Sequence, residues 1–176
     1  MARVLALQLH EQRCVQPRSV IEAEAVVGGG LAGDSHAEKQ MRALLVVDRT
    51  TLDAHGLAPG DLREQVTIEG LPGVTELAPG TLLRAGALTL RVNGECEPCT
   101  HIGGMLAVED PEAFRASLRG RRGALCTVVL AAGPIRVGDD VEVLELTLGS
   151  RANAERTTSE PVAAIRPSRG GAVSPA

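Results

Sequence analysis

Pro79-Gly80-Thr81-Leu82-Leu83-Arg84-Ala85-Gly86-Ala87-Leu88-Thr89-Leu90-Arg91-Val92 is the stretch on which the fold reading turns. Apolar and polar side chains alternate over 81–84 and again over 87–92, each time after a turn signal, Pro79-Gly80 or Gly86. A strand sends successive side chains to opposite faces, so this period marks a strand with one face in a core. Toward the N-terminus, strands are expected over 3–9, 19–27, 44–47 and 65–68. Toward the C-terminus they are expected over 124–130 and 141–146. Gly28-Gly29-Gly30, Pro59-Gly60-Asp61, Gly70-Leu71-Pro72-Gly73 and Gly133-Pro134 punctuate them as turns. A helix is expected over 50–55, capped by Asp48 or Thr50 and ended by Gly56. Asp110 followed by Pro111 predicts a second over 111–119, with the proline at its first position. Many short strands with close turns and a few short helices indicate a mainly β fold, a closed or partly open barrel. There is no βαβ rhythm. Gly28-Gly29-Gly30 runs into an irregular loop, Leu31-Ala32-Gly33-Asp34-Ser35-His36, rather than a helix, so it is not a dinucleotide fingerprint.

Composition narrows the function classes. Of 176 residues 44% are hydrophobic, yet the chain has one Phe and no Trp or Tyr, so its core must be aliphatic. That removes the aromatic platforms on which single-stranded nucleic acid stacks. The net charge of -4 argues in the same direction, and no nucleic-acid partner is expected. No apolar run is long enough to cross a bilayer as a helix, so no membrane partner is expected either. Met1 to Gln8 reads as a first strand rather than a leader, because Gln8, His10 and Glu11 interrupt the apolar run. Cytoplasm is then the expected location, with Cys14, Cys96, Cys99 and Cys126 reduced. The chain divides into a domain over 1–148 and a flexible tail over 149–176, rich in Ala, Ser, Arg, Pro and Gly.

The segment that carries chemistry is Glu95-Cys96-Glu97-Pro98-Cys99-Thr100-His101. Its C-x-x-C spacing admits several readings. A thioredoxin-like redox pair needs a helix at once after the pair, which the pattern does not predict, and Glu95 and Glu97 would oppose a thiolate. A structural zinc site needs four ligands, and Cys14 and Cys126 stand alone. A mononuclear metal such as zinc, held by Cys96, Cys99, His101 and His36, is more open, and would make a metal-dependent lyase or hydrolase. The remaining reading is that Cys96 packs and Cys99 reacts.

Several segments, in order, resemble the MOSC domain, found at the C-terminus of molybdenum cofactor sulfurases and as standalone bacterial proteins. They are Gly33-Asp34-Ser35-His36, the run Leu57 to Leu71, Leu77 to Leu83, Glu97-Pro98-Cys99, and Arg122 to Cys126 followed by Gly133 to Val141. Together they span roughly residues 3–146. The resemblance implies a MOSC-type (pyruvate-kinase-like) β-barrel and one reactive cysteine after a strand, which maps to Cys99. It implies a molybdenum cofactor (pterin) or sulfur carried as a persulfide. Two departures stand out: Cys96 replaces an Arg common in the family, and Gln65 replaces an Asn.

On these grounds Cys99, His101 and His36 are the expected catalytic residues, and Arg63, Arg121, Arg122 and Asp34 the expected cofactor-binding ones. Arginine suits an anionic group because its planar fork donates charge-assisted hydrogen bonds. His10 and His55 are expected to be structural or exposed. The expected activity is sulfur carriage or transfer, or carbon–sulfur bond cleavage. The non-catalytic alternative is a cofactor-binding module. Expected partners are a sulfur-containing or pterin small molecule and a sulfur-donor protein.

Overall fold

The computed structural model describes residues 1–12 and 15–144. In chain order its elements are β1 (Ala2–Leu9), β2 (Arg18–Val20), β3 (Glu22–Ala23), β4 (Leu44–Asp48), α1 (Arg49–Ala54), β5 (Val66–Glu69) and β6 (Leu82–Ala85). They continue with β7 (Leu88–Glu95), α2 (Thr100–Met105), α3 (Pro111–Ser117), β8 (Ala124–Ala131), β9 (Ile135–Arg136) and β10 (Asp140–Leu144). Neighbouring strands run β10-β6-β7-β8-β4-β5-β1, and β10 returns to pair with β1, so seven strands close a barrel. The β4–β5 pair is parallel; the other barrel pairs are antiparallel. Closure leaves the barrel no free edge. The stretch at 81–92 forms β6 and β7, paired with Leu83 opposite Leu90.

Each barrel strand puts one set of side chains inward. Val4, Leu7, Leu44, Val46, Val66, Ile68, Leu83, Leu90, Val92 and Val128 belong to one aliphatic core. Beside it Leu45, Val47, Leu52, Leu62, Cys96, Ile102 and Leu118 form a second core, with Phe114 packed against it. β4 belongs to both: Leu44 and Val46 face one core, Leu45 and Val47 the other. Burial on two faces explains its continuous apolar run, which lacks the alternation of β6 and β7. Burying one Leu or Val is worth about 2 kcal/mol, so an aliphatic core suffices without aromatics.

The caps match the sequence. Asp48 accepts from Thr50 N at 2.7 Å at the start of α1. Asp110 accepts from the amides of Glu112 and Ala113 at the start of α3. The strand expected over 19–27 is shorter: β2 and β3 are separated at the exposed Ile21, and Ala25 makes only an isolated bridge to Leu31. The turn of the chain toward β9 ends the ladder, since β3 pairs there rather than with β1. Gly29 and Gly30 lie so close to the carbonyls of Ala37 and Ala43 that a Cβ would overlap them. These approaches, with Gly30 N donating to Ala37 O at 2.9 Å, close the base of the 31–36 loop. Residues 145–146 of the last expected strand and the tail expected over 149–176 lie outside the described residues, as does Cys14. Among the described residues no helix is long and apolar enough to cross a membrane.

Candidate functional site

β7 carries the chain out of the barrel at Glu95. Cys96 N then donates to Gly123 O at 2.9 Å, which pins the segment to the start of β8. Gly123 has φ 126°, and a Cβ there would collide with Val46 O, so the close approach needs glycine. Cys96 and Pro98 are buried, whereas Glu97 and Cys99 are exposed. The expectation that nothing helical follows the cysteine pair is corrected. α2 begins at Thr100 with Cys99 as its N-cap residue, because Ile102 packs into the second core. Gly103 and Gly104 had masked that short helix in the sequence. Cys96, Cys99 and Cys126 are all free thiols. Burial pushes the Cys96 thiol up, while the guanidinium charges of Arg122 and Arg42 pull the other way.

A second feature is built on the 31–36 loop. The buried Asp34 carboxylate accepts from His10 N at 2.7 Å and His36 N at 2.7 Å. Its oxygens lie 3.1 Å from His10 Nδ1 and 3.1 Å from His36 Nδ1. Gln65 Nε2 donates to it at 3.2 Å, and Gln65 Oε1 accepts from Leu45 N at 2.8 Å. Burial alone would raise the Asp34 pKa. The hydrogen bonds from the two histidine rings and backbones outweigh it and hold the carboxyl well below the usual carboxylate range. Asp34 therefore fixes the ring of His36 through Nδ1, leaving Nε2 as its second ring nitrogen.

His36 lines two adjoining cavities. The outer one, about 470 Å³, is lined by Glu11, Gln12, Ser35, His36, Lys39, Arg42, Arg63 and His101. The inner one, about 100 Å³, is lined by His36, Arg42, Leu45, Arg63, Gln65, Cys96, Arg122 and Leu125. The structure thus brings His36, His101, Arg63, Arg122 and Cys96 together around shared space. Cys99 stands exposed two residues before His101. Arg121 is exposed and lines neither cavity; its carbonyl accepts from Thr51 Oγ1 at 3.1 Å. The expected metal cluster of Cys96, Cys99, His101 and His36 does not form. Among the described residues no group of three or more His, Cys, Asp or Glu is placed to hold an ion, since Cys96 turns into the core and Cys99 turns out.

Arg42 and Glu64 escaped sequence reasoning, while His10, expected to be structural or exposed, and Gln65, singled out as a departure from the family pattern, gain partners that the sequence did not show. His10 is buried, with Nε2 lacking a partner among the described residues. Arg42 sits where both cavities meet. Gln65 links β4 to Asp34. Glu64 is wholly buried; burial pushes its carboxyl up, against hydrogen bonds from Gly60 N at 2.6 Å and Thr67 Oγ1 at 2.9 Å. Only Glu64-Gln65 carried a signal, as two polar residues leading into an apolar strand.

The family model described as the MOSC domain matches residues 33–142. Among solved structures, the chain is similar to the YUAD protein from Bacillus subtilis, with TM-score 0.71 and 21% identity over 81% of this chain and 96% of that one. It is also similar to YiiM from Geobacillus stearothermophilus, with TM-score 0.62 and 17% identity over 85% of this chain and 78% of that one. YiiM from Escherichia coli gives TM-score 0.58 and 19% identity over 81% of this chain and 69% of that one. At these identities the likeness is one of fold. No curated protein sequence matches the chain.

Proposed function

Because the chain belongs to the MOSC domain family, we propose that it handles sulfur through Cys99, as a standalone sulfur carrier or transferase in the cytoplasm. The observation that carries this reading is a contrast among thiols. Of the three described cysteines only Cys99 is exposed, and its helix neighbour His101 lines the outer basic cavity. A thiolate is the form that attacks sulfur. The Cys99 thiolate would attack the terminal sulfur of a donor persulfide, R–S–SH. A Cys99–S–SH bond forms, the donor S–S bond breaks, and R–S⁻ leaves with the electron pair. His36, held by Asp34 through Nδ1, and His101 are the groups available to move protons. Carbon–sulfur bond cleavage would use the same nucleophile.

The molybdenum cofactor that the family implies suits the charge of the two adjoining cavities taken together. Lys39, Arg42, Arg63 and Arg122 would hold its anionic groups, and the buried Arg122 Nε has no partner among the described residues. Bound there, it would supply atom-transfer chemistry at molybdenum. A cofactor-binding module is accordingly the second reading.

The test is intact-mass analysis after exposure to a polysulfide or to a cysteine desulfurase with cysteine. Wild type should gain the mass of one sulfur atom, removable by a thiol reductant. Cys99→Ser should not gain it, and Cys96→Ser should. No gain with any donor would sink sulfur carriage. Molybdenum or pterin co-purifying with the chain would favour the second reading.

A further inference from the structure

We propose that the inner chamber is a binding site for a small oxoanion of sulfur, of the sulfite or thiosulfate type, anchored by Arg122. The choice of sulfur rests on the Cys99 reading above; the oxoanion site itself rests on the chamber.

Three guanidinium groups, Arg42, Arg63 and Arg122, line a space of about 100 Å³ to which no carboxylate among the described residues contributes. Among the described residues none of the three makes an ion pair. Of the carboxylates nearby, Asp34 is already saturated by His10, His36 and Gln65, and Glu11, which lines the adjoining outer cavity with Arg42 and Arg63, pairs with Arg18. Arg122 is 8% exposed. Its Nη1 donates to Glu97 O at 2.9 Å and its Nη2 to Leu62 O at 3.4 Å. Both acceptors are neutral, so they orient the guanidinium without balancing its charge. Its Nε–H is buried and has no partner among the described residues. A buried cation with an unmade hydrogen bond is costly, and an anion in the chamber would offset both costs.

The other walls add no counter-charge. Leu45 and Leu125 give the chamber an apolar wall that competes with none of its cations for an anion. Its volume equals about three waters at about 30 Å³ each, enough for one small oxoanion. The Cys96 thiol also lines it, and burial favours its neutral form, so it does not serve as the missing counter-charge. A sulfur oxoanion seated there would lie beside the outer cavity that His36, Arg42 and Arg63 share.

The test is calorimetric titration of the full chain, carrying Cys99→Ser so that no sulfur is loaded, with sulfite, thiosulfate, sulfate and phosphate in turn. Saturable one-to-one binding of sulfite or thiosulfate is expected, tighter than phosphate. It should weaken about tenfold or more in Arg122→Met. Arg42→Met, which removes an exposed side chain, should weaken it severalfold with the fold intact by circular dichroism. Arg84→Met, a charge removed from the outer face of β6, should not weaken it. No binding of any of the four, or binding by Arg122→Met and Arg42→Met as tight as by the chain that keeps both arginines, overturns the site; preference for phosphate overturns the sulfur assignment. Binding without sulfur loading on Cys99 in the parallel mass experiment would leave the chamber standing and the Cys99 reading refuted. Loading without binding would do the reverse.

Discussion

His36 Nδ1 lies 3.1 Å from Asp34 Oδ1, and the same carboxylate reaches His10 Nδ1 at 3.1 Å through its other oxygen. One buried anion therefore orients two imidazoles, of which only His36 meets the cavities. A carboxylate behind a histidine fixes which ring nitrogen is left for chemistry.

Asp34→Asn should cost about 3 kcal/mol, because a charged acceptor of five hydrogen bonds is replaced by one that must flip to serve them. The wild-type carboxyl is held below its unfolded value, so its stabilisation is present above the ordinary aspartate range and fades as pH falls. Urea unfolding of both chains should show their stabilities converging toward acid pH. A constant gap at every pH would contradict this.

Glu64 has the opposite sign. Its folded carboxyl is raised by burial, so its contribution is complete below the ordinary glutamate range and is lost as pH rises through the folded value. Glu64→Gln keeps an acceptor for Gly60 N and Thr67 Oγ1 without the ionisable proton. It should be about as stable as wild type at pH 4 and more stable at pH 8 by about 1 kcal/mol or more. Thermal melts across that range decide it; parallel pH curves for the two chains would refute the assignment.

Thiol reactivity should follow exposure. Among the described cysteines, Cys99 should be alkylated by iodoacetamide first, Cys96 more slowly, and Cys126 only on unfolding, its thiol pushed up to about 12 by burial. Peptide mapping at timed intervals reads the order directly. Cys96 reacting ahead of Cys99 would contradict the site described above.

Arg63 adopts φ 61°, a left-handed conformation that costs a residue with a Cβ about 1 kcal/mol. Arg63→Gly relieves it, against some added freedom in the unfolded chain. Stability should stay level or rise by up to about 1 kcal/mol while oxoanion binding falls severalfold. A large loss of stability would mean that the Arg63 side chain, which donates to Val15 O at 3.3 Å, holds the loop instead.

Much of the fold was legible because it rests on local rules. Alternation named β6 and β7, and side-chain caps at Asp48 and Asp110 marked the starts of α1 and α3. β2 and β3 were overextended because 19–27 alternates as a single strand would, yet its two halves pair with different partners. α2 was missed because two glycines weaken its helical signal, while packing of Ile102 supplies the stability that propensity withholds.

By itself the sequence determined a mainly β chain with an aliphatic core, turns at many of its glycines, and a cysteine pair just after a strand. Those features depend on neighbours a few residues apart. Only the tertiary structure decided that Cys96 points inward and Cys99 outward. It also brought Arg42, Arg63 and Arg122 around one chamber and made His10 a partner of Asp34. These relations join residues tens of positions apart through barrel closure, and no local period or propensity encodes a distance across a closed sheet.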